Sequence, residues 1–191
     1  IMQLLLMILI ASVEDSINSA MVPQNRTVGM TPKLPKSKLI KTESFADFEK
    51  NAHNIPTHPG VYAIWKDDEL LYVGMAGKNW TKKRQKANHG HLQNRLKKHA
   101  AARRSNNLVY YLIQDYVGRS ITEKQWRDIS DPQKKVTLQD KVKEYMNYNL
   151  SYSYAPVPRE ETDSKRKRAI AREWEKQLIE GKLGIKPKYN N

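Results

Sequence analysis

Two β-rich runs lie close together, Val61-Tyr62-Ala63-Ile64-Trp65 and Leu70-Leu71-Tyr72-Val73, separated only by the polar Lys66-Asp67-Asp68-Glu69. β-branched and aromatic residues favour extended backbone, and a connection this short permits only a reversal, so the pair predicts an antiparallel hairpin. Pro59-Gly60 punctuates its start and Gly74 its end. Leu108-Val109-Tyr110-Tyr111-Leu112-Ile113 is apolar enough to predict a third, fully buried strand. Helices are expected where apolar residues recur every three or four positions: Glu43–Asn51 behind the possible cap Thr42, the stretch of Leu92, Leu96 and Ala100 closed by Ser105-Asn106-Asn107, and Ser164–Glu180 with the stripe Ile170, Trp174 and Leu178. Further helices around Glu123–Ile129 and Leu138–Tyr148, and a strand at Leu150–Tyr154, are fainter. The expected class is α+β.

At 191 residues the chain suits one domain with a real core. Ile1–Ile10 is nearly all apolar, yet too short to span a bilayer as a helix, and Glu14-Asp15 follows it with no basic segment before it. The expectation is an upstream extension or fragment edge before Met21 rather than a signal peptide. Val22–Lys41, with Pro23, Pro32 and Pro35 among polar residues, reads as a linker. Residues 1–41 are thus expected to be a poorly ordered extension, and 42–191 the domain, with an insertion at about 114–160.

Charge narrows the function. Thirty-four Lys and Arg against twenty Asp and Glu leave a net charge of +14, which points to a polyanionic partner. From Met75 to Arg104 there are ten basic residues and no acidic one: Lys78, Lys82, Lys83, Arg84, Lys86, Arg95, Lys97, Lys98, Arg103 and Arg104. A block of one sign repels itself unless a polyanion lies beside it, so it marks a phosphate-facing surface. The absence of cysteine excludes disulfides, thiolate nucleophiles and the usual zinc sites, and agrees with a reducing compartment, so the expected location is cytoplasmic, with no stable membrane association expected. His89-Gly90-His91 lacks a third ligand nearby.

Phosphodiester hydrolysis needs an activated water, positive charge for the transition state and stabilisation of the leaving oxygen. Arg95 and His99 are four residues apart, hence on one face of their expected helix, beside the Leu92-Leu96-Ala100 stripe. A guanidinium there can clamp a phosphate and an imidazole can exchange a proton near neutral pH. Glu175 follows Ala171 by four and precedes Leu178 by three, at the margin of the final helix's buried stripe. One carboxylate suffices for magnesium, which keeps most of its waters. Singly, each residue also has a plain reading as surface charge, packed histidine or exposed glutamate. Tyr62 and Tyr72 lie on adjacent strands, and a tight turn brings their rings to one face.

Pro59-Gly60-Val61-Tyr62 followed by Leu71-Tyr72-Val73-Gly74 resembles the paired motif of the GIY-YIG nucleases, with Val for Ile in both halves. Leu92-Gln93-Asn94-Arg95-Leu96-Lys97-Lys98-His99 is similar to that family's arginine helix, Trp174-Glu175-Lys176-Gln177-Leu178-Ile179 to its glutamate helix, and Lys186-Pro187-Lys188-Tyr189-Asn190 to its closing segment. Five ordered elements over Pro59–Asn191 are more specific than any one. The resemblance implies a three-stranded antiparallel sheet flanked by helices, and a DNA endonuclease of repair or restriction with Glu175 as sole protein ligand of Mg²⁺ or Mn²⁺. It further implies Tyr62 as general base or water orienter, Tyr72 lining the site, Arg95 on the scissile phosphate, His99 at a position held by Tyr or His, and Gly60, Gly74 and Asn190 in support. Met75 stands where repair-type members carry Lys, so that role is vacant or passes to Lys78. The stretch from Gly74 to Arg95 is also about twice the usual length, inserting a basic loop, Lys78–Gly90.

Fold alone selects no substrate. The competing class is a non-catalytic module holding DNA or RNA through loop 78–90, with a basic RNA-associated protein of translation as a third reading.

Overall fold

A computed structural model describes residues 31–78, 90–103, 107–134 and 136–190. Its sheet has four antiparallel strands, β1 (Glu43–Ser44), β2 (Gly60–Lys66), β3 (Glu69–Ala76) and β4 (Ser151–Pro156), in the order β1-β4-β2-β3. The hairpin forms as expected but tighter: β2 and β3 pair from Lys66↔Glu69 to Gly60↔Ala76. Only Asp67 and Asp68 lie in the turn, with Asp67 at φ 51°. Asp is among the few residues that visit this left-handed region at low cost, and such turns match the twist of the strands they join.

β2 lies between β3 and β4, and both its faces are covered. Tyr62 and Ile64 enter one core with Leu92, Leu96, Leu112 and Met146. Val61, Ala63 and Trp65 enter a second with Ile170, Ala171, Trp174 and Leu178. Burial on both sides explains why this strand reads as an unbroken apolar run rather than an alternating one. A register shift at Ile64/Trp65 places Tyr72 opposite Ile64 and Gly74 opposite Tyr62. The two tyrosines are therefore diagonal neighbours on one face.

The helices are α1 (Lys36–Ile40), α2 (Phe48–Asn51), α3 (Leu92–Ala100), α4 (Asn107–Leu112), α5 (Gly118–Ser120), α6 (Glu123–Ser130), α7 (Leu138–Asn149) and α8 (Ser164–Ile179), with a π-helical turn at Ile113–Val117. Thr122 with Gln125, and Thr137 with Asp140, form reciprocal capping boxes that start α6 and α7. α3 and α8 carry the expected core stripes, Leu92-Leu96-Ala100 and Ile170-Trp174-Leu178, all buried.

Several expectations are corrected. The stretch Leu108–Ile113 is not a strand: Leu108, Val109 and Leu112 are buried while Tyr110 is exposed, the i, i+1, i+4 pattern of a helix. A six-residue apolar run fits either period, and the neighbouring helical turns decide it. Its place in the sheet goes to β4, which pairs along β2. The sheet has four strands rather than three because Glu43–Ser44 adds a short edge to β4. That pairing also breaks the expected Glu43–Asn51 helix, which begins instead as a 3₁₀ turn capped by Ser44 before α2. The described end of the expected linker is ordered: Leu34 and Leu39 are buried, Leu39 O accepts from Ser153 Oγ at 2.6 Å, and Pro32 O accepts from Trp174 Nε1 at 2.7 Å. Residues 1–30, and most of the basic loop, lie outside the described residues. Among the described residues no helix is long and apolar enough to cross a membrane.

Candidate active site

Three aromatic rings meet on one face of the hairpin. Tyr62 comes from β2, Tyr72 from β3 and His99 from α3, with centroids 6.3 Å apart for the tyrosines, 5.1 Å for Tyr62 and His99, and 5.8 Å for Tyr72 and His99. The Tyr62 hydroxyl lies 2.8 Å from His99 Nε2. Two glycines make this possible. A Cβ on Gly74 would lie 2.4 Å from the Tyr62 hydroxyl, and one on Gly60 would lie 2.4 Å from Ala155 O and 2.7 Å from Leu92 Cδ1. Gly74 therefore leaves room for the tyrosine across the ladder, and Gly60 lets α3 approach the sheet closely enough to deliver Arg95 and His99.

Burial sets the chemistry of each group. His99 is 1% exposed, and loss of water, with the positive charge of Arg95 beside it, pushes its pKa down to about 3. Both effects favour the neutral imidazole. A neutral His99 can accept the Tyr62 O–H at Nε2. Tyr62 is fully buried and its pKa is raised, chiefly by burial and against the nearby Arg95 charge. Tyr72 is raised for the same reason, but unlike Tyr62 the residue keeps partial exposure. Arg95 is half-buried, and its Nε is buried without an acceptor among the described residues. An unpaired buried donor of this kind invites an anionic oxygen.

Glu175 reaches the site from α8, on the other side of the sheet, by way of the β3 edge. Its Oε1 accepts the Met75 N–H at 2.9 Å. Two residues back along the same edge, Asn190 accepts the Val73 N–H through Oδ1 at 2.7 Å and donates Nδ2 to Val73 O at 2.8 Å. Asn190 thus pairs with β3 as another strand would, and Lys188 N–H and Tyr189 N–H bond Leu70 O and Leu71 O just before it. Half-buried Glu175 is raised in pKa by desolvation, opposed by the Met75 N–H and by the charges of Arg95, Lys78 and Arg172. Its charge also acts on both tyrosines.

The five residues singled out by spacing, Tyr62, Tyr72, Arg95, His99 and Glu175, are thus brought within electrostatic reach of one another, with Gly60, Gly74 and Asn190 supporting them. Lys78 is exposed and lies near enough to Glu175 to lower its pKa. Arg103 is exposed at the end of α3. Lys82, Lys83, Arg84, Lys86 and Arg104 lie outside the described residues. His91 has a local role: its Nδ1 accepts the Asn94 N–H at 3.2 Å and caps α3.

Sequence reasoning missed how the chain end is held. Tyr189 stacks on Tyr111 at 4.7 Å and donates its hydroxyl to Asp115 at 2.7 Å, and Lys188 lies 3.0 Å from the same carboxylate. It also missed that Met75 contributes through its backbone. No periodicity could have revealed either, since both depend on contacts across about seventy to a hundred positions. Comparison with protein-family models, with curated proteins and with solved structures gives no match.

As for a metal, among the described residues no group of three or more His, Asp or Glu side chains gathers into a cage. The donor identified, the partly buried carboxylate of Glu175, fits a hard divalent ion that retains its waters and does not fit zinc.

Proposed function

We propose that this chain is a metal-dependent endonuclease of the GIY-YIG type that hydrolyses DNA phosphodiester bonds. One observation carries the reading: residues far apart in the chain, on β2, β3, α3 and α8, converge so that a guanidinium, a carboxylate and two hydroxyls act on one another at the β3 edge. The long strands β2, β3 and β4, flanked by α3 and α8, are in keeping with the sheet that the resemblance implies.

In this reading the Arg95 guanidinium donates to the scissile phosphate and counters charge that builds on the equatorial oxygens. His99, held neutral, accepts the Tyr62 O–H and so fixes which way that hydroxyl's lone pairs face. Tyr62 then orients Tyr72, the outer hydroxyl, which aligns the attacking water. The new bond joins the water oxygen to phosphorus, the P–O ester bond breaks, and the protons lost by water and gained by the leaving oxygen pass through solvent. Glu175 would hold Mg²⁺ or Mn²⁺, which supplies Lewis-acid stabilisation when bound. Full burial of Tyr62 favours the second reading, a module that binds DNA or RNA without cutting it.

The two readings separate on supercoiled plasmid with Mg²⁺ or with EDTA. Wild type should nick only with Mg²⁺. Arg95→Ala should lower turnover by roughly a hundredfold or more. Glu175→Gln, which keeps the Met75 hydrogen bond but loses the charge, should abolish cleavage and still bind DNA. Binding by wild type with no Mg²⁺-dependent nicking on plasmid, flapped or single-stranded DNA would establish the non-catalytic reading instead.

A further inference from the structure

α8 segregates its charge. At 100° per residue, Lys165, Arg168, Arg172 and Glu175, spaced three, four and three, fall on one flank beside the buried stripe of Ile170, Ala171, Trp174 and Leu178. Lys165 and Arg172 are exposed and Arg168 is half-buried. Among the described residues no carboxylate pairs with Lys165 or Arg168, and Arg172 acts on Glu175 itself. The other flank mixes both signs: Glu161 holds Arg166 at 2.7 Å, and Lys176 lies 3.8 Å from Glu180.

Three cations of one sign at steps of about 5 Å make a rail about 15 Å long that ends at the candidate metal carboxylate. A solvated helix face would intersperse both signs, and like charges three and four apart destabilise a helix. That cost is offset when a polyanion lies along it. The charge complements a nucleic-acid backbone, and the flank ends at Glu175, on which Arg95 also acts.

The geometry points to the Lys165–Arg168–Arg172 flank of α8 as a phosphate track that seats duplex DNA and leads one strand to the candidate active site. This rests on the nuclease reading for its destination, but not for the binding itself. The track is built on a helix whose opposite side is packed into the core.

The test is binding of a short fluorescent duplex by the full chain in EDTA, followed by anisotropy across a salt series. Lys165→Ala/Arg168→Ala removes two phosphate contacts, so the slope of log affinity against log salt should fall by about two, with affinity near 0.1 M salt lowered on the order of tenfold. Lys124→Ala/Lys143→Ala, on α6 and α7, removes equal charge elsewhere and should change neither by more than a small fraction. Equal effects from the two double variants would show that only net charge matters and would overturn the track. A selective loss in a protein that never cuts would uphold the track and sink the nuclease reading. Cleaving wild-type protein with no selective loss would do the reverse.

Discussion

At the scale of single residues, His99 shows how burial overrides intrinsic chemistry. An exposed imidazole titrates near 6.5, but in the fold the charged form is disfavoured until about pH 3. Unfolded chains therefore bind one more proton than folded ones between those values. The stability tied to neutral His99 is complete above about pH 6.5 and is lost as pH falls toward 3, at up to about 1.4 kcal/mol per pH unit. His99→Gln, which retains an acceptor for Tyr62, should flatten this limb. Urea unfolding at pH 7 and pH 5 should show wild type losing about 2 kcal/mol more than the variant; equal losses would mean that His99 is not held neutral. For the same reason the pH–rate profile between 5 and 8 should keep its shape in His99→Gln, even if the rate drops.

At the scale of elements, the hairpin is a frame in which one glycine is matched to one ring. Gly74→Ala brings a Cβ within 2.4 Å of the Tyr62 hydroxyl and 2.6 Å of its Cζ, and the ring is hemmed in by Tyr72 and His99. Overpacking of this kind costs about 1–3 kcal/mol. Gly74→Ala should thus lower the melting temperature and lose cleavage through displacement of Tyr62, and wild-type thermal stability in this variant would show that the ring has room the structure does not display. The elements also show where periodicity is legible. α3 and α8 are long enough for the i, i+4 repeat to be unmistakable, and the hairpin is flagged by its turn. Leu108–Ile113 carries no such flag, and in the fold it runs directly into the helical turn at Ile113–Val117.

At the scale of the whole molecule, the proposed metal role of Glu175, in the last turns of α8, predicts a link between ion binding and folding. Desolvation makes charged Glu175 unfavourable, so Glu175→Gln, which keeps the Met75 hydrogen bond, should melt at the wild-type temperature or above. A bound ion stabilises only the protein that holds it. Millimolar Mg²⁺ or Mn²⁺ should therefore raise the melting temperature of wild type and not of Glu175→Gln, a readout that needs no substrate. An equal rise in both would place the ion elsewhere.

The linear order of residues was enough to determine the hairpin, the two amphipathic helices and the candidate site residues, because each depends on spacings within a turn or two of regular structure. It also determined the net charge of +14, on which the proposal of a polyanionic partner rests, since net charge is independent of fold. Only the tertiary structure decided that Leu108–Ile113 is helical and that Ser151–Pro156 takes the strand position beside β2. It alone decided that the segment after Pro32 is packed, that His99 is neutral, and that Met75 serves Glu175 through its backbone. Each of these depends on which distant surface removes water from a residue or meets an open strand edge, and local sequence does not encode that.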